Sequence, residues 1–317
     1  MKETNPKIIF LGTPDFGAVI LEGLIKAGYS PVLIITQKDK PKGRKQIVSP
    51  PPVKLIAQKN NIEILQPDNI KSCLKRIKET KPDLIISAAF GQLIPKEIIE
   101  APKYKSLNVH PSFLPKYRGP SPIQQAILDG EKETGVSIIL MDEQLDHGPI
   151  VAQSKPIEID NLTSQELTTI LAEATIELLI ETVPKWIKGE ISPQPQGDDR
   201  ATYTETLTKE KGKINWQKPA IEIERQIRAF TPWPGSYSYL EKGGKEIQIK
   251  IIKAKILEKK EAEYEPGQTL IVSKKDLGIQ TGKDILIVES IQIQGGKEMS
   301  SQDFLRGHVD FIGKTLK

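Results

Sequence analysis

The chain has 317 residues, of which 38% are hydrophobic and 27% are charged. That length allows two domains with separate cores, and the composition excludes a disordered or fibrous protein. A single cysteine, Cys73, excludes an internal disulfide framework and a cysteine-based zinc site, and it fits a reducing compartment. No apolar run reaches the roughly 18–20 residues of a membrane span. Residues 1–6 are charged and lead into a strand, so we expect no signal peptide and a cytoplasmic location.

The net charge of +4 is distributed unevenly along the chain. Residues 207–317 contain 20 basic and 15 acidic residues, whereas the first 206 residues carry a net charge of −1. A basic excess in the last third of the chain points to a polyanionic partner such as nucleic acid.

The first part of the chain alternates short apolar runs with amphipathic segments, which predicts a mostly parallel α/β sheet. Thr13 is predicted to cap a first helix that has Pro14 at its first position and ends at Gly28. A dinucleotide site is not expected, because Gly12 and Gly17 do not form a G-x-G-x-x-G pattern. The predicted strands are Lys7–Leu11, Pro31–Thr36, Glu63–Leu65 and Leu84–Ala88, and a second helix is predicted near Ile70–Thr80.

A run of basic residues from Lys38 to Lys45 (KDKPKGRK) carries a net charge of +4. Its glycine and proline predict a loop. Most such runs are solvated surface, so the charge alone leaves a nucleic-acid contact open.

The stretch from Ser106 to Gly148 places polar side chains at the ends of buried strands. Leu107 and Val109 alternate with Asn108 and His110, so a strand here directs both polar side chains to one face. We expect them at the carboxyl end of that strand, where open α/β sheets bind ligands. A helix capped by Ser121 is predicted to end at Leu128–Asp129, and a strand over Val136–Met141 then leads to a loop with Asp142 and Asp146.

An amide, an imidazole and a carboxylate suit transfer of an acyl or formyl group to an amine. The amide and imidazole can stabilise charge on the carbonyl oxygen, and the carboxylate can orient the imidazole or accept a proton. Asn-x-His at a strand end is nevertheless often structural, and Asp before His-Gly is commonly a turn former. Spacing alone leaves both interpretations open.

The pattern changes after a predicted helix over Leu162–Trp186. Residues 189–201 are rich in proline, glycine and charge, which predicts a linker. A helix over Ala220–Ala229 and a strand after it are then expected. Further strands are predicted over Glu246–Leu257, Thr269–Val272, Gly278–Thr281 and Ile285–Ile293. Short strands separated by Gly- and Lys-bearing turns are typical of a small antiparallel β-barrel.

NVHPSFLPKYRG followed by LDHG resembles the signature of the folate-dependent formyltransferases, Asn-x-His-x-Ser-Leu-Leu-Pro and a later Leu-Asp-x-Gly. Phe113 stands where leucine is commoner, a mild apolar change. The resemblance implies that Asn108, His110 and Asp146 are catalytic. AFGQLIPK resembles the family's turn along the pteridine pocket. The implied folate-binding residues are Ser112, Phe113, Leu114, Pro115, Phe90, Gly91, Leu93, Ile94 and Asp142, and no metal is expected.

TQKDKPKGRKQIVSPPPVK resembles an insertion with which the tRNA-specific members of this family grip the acceptor stem. INW at 214–216 and IRAFTPWPG at 227–235 resemble their C-terminal segments. Trp216 and Trp233 are expected in the core, and Arg118 is expected to face folate or RNA anions or to cap its loop. The implied tRNA-binding residues are Lys38, Lys40, Lys42, Arg44, Lys45, Lys209, Lys211 and Lys213.

The expected architecture is a Rossmann-like, mostly parallel catalytic domain over residues 1–188, a linker over 189–206, and an OB-like antiparallel barrel over 207–317. The resemblance implies a monomer that transfers the formyl group of 10-formyltetrahydrofolate to the methionine amino group of initiator methionyl-tRNA. Three alternatives remain: a formyltransferase acting on a small amine, a hydrolase of the same folate, and a non-enzymatic RNA-binding protein. The basic run at 38–45 and the basic last third favour tRNA.

Overall fold

A computed structural model describes residues 5–43, 46–258, 264–273 and 276–317. These residues form two compact units. The first unit comprises Met1–Pro122, Glu133–Glu158 and Thr168–Thr204, and the second comprises Ile123–Lys132, Ile159–Leu167 and Glu205–Lys317. The division into 1–188, 189–206 and 207–317 stays a prediction. Among the described residues, no helix is both long and apolar enough to span a membrane.

The first 190 residues contain both strands and helices. The strands are β1 (Ile8–Gly12), β2 (Leu33–Ile35), β3 (Lys40–Lys42), β4 (Ile47–Ser49), β5 (Glu63–Leu65), β6 (Leu84–Ala88), β7 (Ser106–His110), β8 (Glu133–Thr134), β9 (Ser137–Leu140), β10 (Ile150–Gln153) and β11 (Ile157–Glu158). The helices are α1 (Asp15–Lys26), α2 (Pro52–Lys59), α3 (Leu74–Thr80), α4 (Lys96–Ile99), α5 (Pro122–Asp129) and α6 (Ser164–Ile187), with 3₁₀ turns at Ile70–Cys73 and Asp198–Arg200.

The main sheet of the first unit has seven strands in the order β10-β9-β7-β6-β1-β2-β5. The pairs from β7 to β5 are parallel, whereas β9 and β10 add antiparallel pairs at one end. All five residues of β1 and of β6 are buried, as expected for strands covered on both faces. The predicted mostly parallel α/β fold is therefore confirmed.

Two local predictions in this unit were wrong. Thr13 does not cap α1: Pro14 is the N-cap residue, and the Thr13 hydroxyl donates to the Phe90 carbonyl oxygen at 2.9 Å. The Thr13 hydroxyl is therefore bound by the loop after β6 and does not cap α1. The basic run is not simply a loop, because β3 and β4 pair as an antiparallel hairpin. Ile47 and Val48 favour extended backbone, and Gly43 provides the positive φ of +68° in the turn.

An antiparallel sheet forms the centre of the second unit. Its strands are β12 (Ser236–Lys242), β13 (Lys245–Leu257), β14 (Thr269–Ile271), β15 (Leu277–Gln280), β16 (Ile285–Ile293) and β17 (Met299–Ser300). The helices are α7 (Ala220–Ala229) and α8 (Ser301–Gly307), with 3₁₀ turns at Glu210–Gly212 and Val309–Phe311. The strand order is β12-β13-β16-β15-β14, and β17 pairs with β16.

Residues 314–317 join the two edges of this sheet. Tyr239 and Lys317 exchange main-chain hydrogen bonds at 3.0 and 2.9 Å on the β12 edge. On the β14 edge, the Thr269 N–H donates to the Lys314 carbonyl oxygen at 2.8 Å, and the Leu316 N–H donates to the Gly267 carbonyl oxygen at 2.9 Å. The sheet is thereby closed, which removes its exposed edges.

The two tryptophans predicted in the core behave differently. Trp216 is 4% exposed in the barrel core, and its indole N–H donates to Ser238 Oγ at 2.9 Å. Trp233 is 51% exposed, so its prediction was wrong. It lies between α7 and β12, with Pro232 and Pro234 on either side.

We expect Leu316→Ala to lower the free energy of unfolding by about 3 kcal/mol, because it truncates a buried side chain and leaves a cavity. Leu316 is 2% exposed and belongs to the barrel core. Denaturant-induced unfolding measures the change. Lys317→Ala is the control, since its ammonium makes an exposed ion pair with Glu241 and its main-chain bonds persist. Equal effects of the two substitutions would contradict the packing role of Leu316.

Candidate active site

β7 carries two of the predicted catalytic side chains. Asn108 lies in the middle of the strand and His110 is its last residue, so only His110 fits the expected position at the carboxyl end. β9 runs antiparallel to β7, with Leu140 opposite Leu107. The loop after β9 therefore begins beside the start of β7 and folds back over the strand to bring Asp146 to both side chains.

The Asp146 carboxylate lies at the centre of the site. Asn108 Nδ2 donates to Asp146 Oδ1 at 3.2 Å, and the Gly119 N–H donates to Oδ2 at 2.9 Å. His110 Nδ1 is 3.5 Å from the same Oδ2. The side chains of His110 and Asp146 are 5% and 10% exposed. The three predicted catalytic residues are thus brought together, in a site largely shielded from water.

The contacts of His110 determine which ring nitrogen carries hydrogen. Its Nε2 is 2.8 Å from the Tyr117 carbonyl oxygen. A carbonyl only accepts, so Nε2 is protonated. Nδ1 faces the Asp146 carboxylate at 3.5 Å. Both nitrogens are therefore directed at protein oxygens.

The predicted linker contributes to the site. Gln194 exchanges main-chain hydrogen bonds with Ile150, which attaches this stretch to β10. Gln196 Nε2 donates to the carbonyl oxygens of Asp146 and Gly148 at 2.9 and 2.8 Å. Sequence reasoning missed Gln196, because no spacing signal connects a polar residue in a proline-rich stretch with a loop some 50 residues earlier.

Arg118 is 1% exposed, so the expectation that it faces folate or RNA anions was wrong. Its guanidinium donates to Gln196 Oε1 at 3.1 Å, to Tyr203 Oη at 3.2 Å and to Asp198 Oδ1 at 2.9 Å. The hydrogen bond from Arg118 lowers the pKa of the Asp198 carboxyl below its ordinary value. Arg118 thus binds protein groups on the stretch after α6.

The backbone of the loop that carries Asp146 is sterically constrained. Asp146 has a positive φ of +50°, which aspartate tolerates better than most residues. A Cβ at Gly148 would lie 1.8 Å from the Leu140 carbonyl oxygen, so glycine is required there. His147 Nδ1 is 2.7 Å from Asp142 Oδ2, and His147 Nε2 is 3.7 Å from Asp198 Oδ2.

The predicted folate residues differ in accessibility. Ser112, Leu114 and Phe90 are buried, and Leu93 is 83% exposed. The Ser112 hydroxyl donates to the Lys116 carbonyl oxygen at 2.7 Å. Gly91 adopts a φ of +82°. Phe113, Pro115 and Ile94 are partly buried.

An open cavity of about 450 Å³ is lined by Asp142 together with Leu140, Met141 and Lys96. Of the predicted folate residues, Asp142 therefore faces a space that can hold a ligand. The grouping of the other predicted residues around one folate stays a prediction.

The predicted tRNA-binding residues lie in both units. Lys38 Nζ donates to Asp68 Oδ2 at 2.7 Å and Lys40 Nζ to Gln37 Oε1 at 2.6 Å, whereas Lys42 is part of β3. Arg44 and Lys45 lie outside the described residues. Among the remaining predicted residues, Lys209 is exposed, Lys211 pairs with Glu205 at 2.6 Å, and Lys213 Nζ lies 5.8 Å from the centre of the Tyr239 ring. Their contact with RNA stays a prediction.

Within the described ranges, no group of three or more His, Cys, Asp or Glu side chains is placed to hold a metal ion. The site contains an amide, an imidazole and a carboxylate group. Together they can accept a proton from an amine and donate a hydrogen bond to a carbonyl oxygen.

Comparisons with solved structures show the same fold in other proteins. HypX from Aquifex aeolicus in complex with tetrahydrofolic acid matches 97% of the chain with a TM-score of 0.63 and 19% identity. The chain spans about half the length of HypX, 48%. WlaRD, a sugar 3N-formyl transferase, matches 90% of this chain and 98% of its own with a TM-score of 0.61 and 23% identity.

Relatives of much higher identity cover nearly the whole chain. A methionyl-tRNA formyltransferase from Halalkalibacterium halodurans is 43% identical over 305 residues, which are 95% of this chain and 94% of that protein. One from Bacillus subtilis is 40% identical over 311 residues, 96% of each chain. Family models for formyl transferase and for the formyl transferase C-terminal domain match residues 6–183 and 206–309. The chain therefore belongs to the formyl transferase family.

Proposed function

We propose that this protein transfers the formyl group of 10-formyltetrahydrofolate to the amino group of methionine on initiator methionyl-tRNA. The observation that carries the proposal is the contact of Asn108 and His110 with Asp146 in a family member. The match to methionyl-tRNA formyltransferases along both units supports the tRNA substrate. Because this substrate is used in bacterial translation, the proposed reaction takes place in the cytoplasm.

The proposed reaction begins with attack of the methionine amine on the formyl carbon. A C–N bond forms and negative charge develops on the formyl oxygen. One N–H of the Asn108 amide is directed at Asp146, and the other can donate to that oxygen. Asp146 accepts the proton that the amine loses. Collapse of the intermediate breaks the bond to N10 of the folate, which receives that proton from Asp146 as it leaves, so that the carboxylate is restored.

His110 has an orienting role in this proposal. Its Nε2 is bound to the Tyr117 carbonyl and its Nδ1 faces Asp146, so neither nitrogen is directed at a substrate. The imidazole ring is fixed by Tyr117, lies against the Asp146 carboxylate and holds it in place. These contacts favour this role over that of a proton shuttle.

Different sets of predicted residues are proposed to bind the two substrates, the folate and the tRNA. The residues proposed to bind the folate are Asp142, Ser112, Gly91 and the apolar residues Phe90, Leu93, Ile94, Phe113, Leu114 and Pro115. The apolar residues are in keeping with the preference of flat heterocycles for apolar walls. The proposed tRNA contacts are Lys38, Lys40, Lys42, Arg44 and Lys45 in the first unit and Lys209, Lys211 and Lys213 in the second. Salt-dependent binding is expected of such contacts with phosphates.

Formyl transfer from 10-formyltetrahydrofolate to charged initiator tRNA tests the proposal, with elongator Met-tRNA and free methionine beside it. We expect rapid formylation of the initiator species alone. Folate consumption without a tRNA product would instead indicate a small amine or water as the acceptor. Retained tRNA binding without any folate turnover would indicate a non-enzymatic RNA-binding protein.

A further inference from the structure

The segment 117–119 holds two members of the proposed catalytic group through its main chain. The Tyr117 carbonyl accepts a hydrogen bond from His110 Nε2 at 2.8 Å. Two residues later, the Gly119 N–H donates to Asp146 Oδ2 at 2.9 Å. The position of this short segment therefore sets the relative position of the imidazole and the carboxylate.

Arg118 lies between these two main-chain contacts and fixes the segment to the stretch after α6. Its guanidinium reaches Asp198 Oδ1 at 2.9 Å and Gln196 Oε1 at 3.1 Å. Main-chain bonds join the same two segments, from the Arg118 N–H to the Thr202 carbonyl at 2.9 Å and from the Thr204 N–H to the Arg118 carbonyl at 2.8 Å. Tyr117 and Gly119 have positive φ values of +66° and +112°, so this backbone needs support from its surroundings.

Asp198 also lies beside the loop that carries Asp146. Its second oxygen, Oδ2, is 3.7 Å from Nε2 of His147, the residue next to Asp146. Gln196, two residues before Asp198, donates to the carbonyl oxygens of Asp146 and Gly148. Residues 196–198 thus contact both the segment 117–119 and the loop that carries Asp146.

We propose that Arg118 and Asp198 are positioning residues for the His110–Asp146 pair. This inference rests on the proposed function of that pair. Asp198 holds the Arg118 guanidinium with one oxygen and faces His147 with the other, so segments 117–119 and 142–148 keep a fixed separation. Loss of the Asp198 charge should let both segments move and lengthen the contact of Asp146 with His110.

Asp198 is the better residue to replace, because its side chain is 69% exposed whereas Arg118 is fully buried. Asp198→Asn removes the charge and keeps the size, so we expect it to fold. Asp199→Asn is the matched control, since Asp199 is exposed and takes no part in the contacts of Arg118 and His147. Asp198→Glu keeps the charge and serves as the conservative variant.

In formyl transfer to initiator methionyl-tRNA, Asp198→Asn should lower kcat about tenfold, because small misplacements of catalytic groups are costly. The KM for folate should change less than about twofold, since the interaction is made to the catalytic pair rather than to the bound substrate. Asp199→Asn should match the unaltered protein, and Asp198→Glu should recover most of the rate. Equal kcat values for Asp198→Asn and Asp199→Asn would overturn the proposal.

A measurement without substrate separates this inference from the proposed function. The chain has three histidines, so the ring ¹⁵N–¹H signals of the free protein are readily assigned with the two variants His147→Gln and His308→Gln. We expect the chemical shift of the His110 Nε2–H signal to change in Asp198→Asn and to remain unchanged in Asp199→Asn. An unmoved His110 signal would overturn the positioning role. A moved signal in a protein that formylates no tRNA would support the positioning and refute the proposed function.

Discussion

Asp146→Asn is expected to lower kcat for formyl transfer by about a thousandfold, within the range that general acid–base groups contribute. The substitution removes the group proposed to accept the amine proton. It also disturbs the site, because both carboxylate oxygens accept hydrogen bonds, Oδ1 from Asn108 and Oδ2 from Gly119. An asparagine must direct its NH₂ at one of these donors, which leaves a buried donor without an acceptor.

Single-turnover rates with saturating folate and initiator methionyl-tRNA measure the effect on the chemical step. Asp199→Asn is the control for an Asp-to-Asn change on an exposed residue of the same unit. KM for the folate should change little, since the proton transfer occurs only on the path to the transition state. An unchanged single-turnover rate in Asp146→Asn would remove Asp146 from the proton transfer.

Asn108→Ala is expected to lower kcat by about a hundredfold, the low end of what loss of an oxyanion donor costs. The amide donates one N–H to Asp146 Oδ1, and alanine removes this bond as well as the donor to the formyl oxygen. Asn60→Ala is the control, because its exposed amide donates to the Ile56 carbonyl in the turn after α2. A loss confined to KM would show that Asn108 binds the ground state rather than the oxyanion.

Asn108→Ser tests whether both N–H groups of the Asn108 amide are needed. A hydroxyl can donate one hydrogen bond but cannot bridge Asp146 and a substrate oxygen as an amide with two N–H groups does. We expect the serine variant to stay well below the original rate. Full recovery by serine would mean that one donor at this position is enough, and that Asn108 does not bridge Asp146 and the formyl oxygen.

Some elements could be predicted from the sequence because residues next to them determine where they begin and end. β5, β6 and α7 have the predicted limits, because an apolar pattern is bounded by turn or breaker residues in each case. The end of α5 at Asp129 follows from Gly130, which adopts a φ of +70°. The Trp216 position in the core and the Trp233 position in solvent were indistinguishable from composition alone.

The candidate site was predicted in part. The motifs identified Asn108, His110 and Asp146, which the structure brings into contact. Arg118 was expected either to face folate or RNA anions or to cap its loop, and its partners Gln196 and Asp198 were placed in a linker. Side-chain identity did not reveal these contacts, since their partners lie about 80 residues away.

The sequence by itself determined the alternation of strands and helices, the change to an antiparallel pattern after residue 207, and the amide, imidazole and carboxylate of the site. These depend on periodicity, on glycine and proline, and on short motifs, all of which act over a few residues. Only the tertiary structure decided the return of the Asp146 loop over β7, the docking of residues 194–204, and the closure of the barrel by residues 314–317. Each of these depends on hydrogen bonds between distant segments, which form only where the packed core brings those segments together.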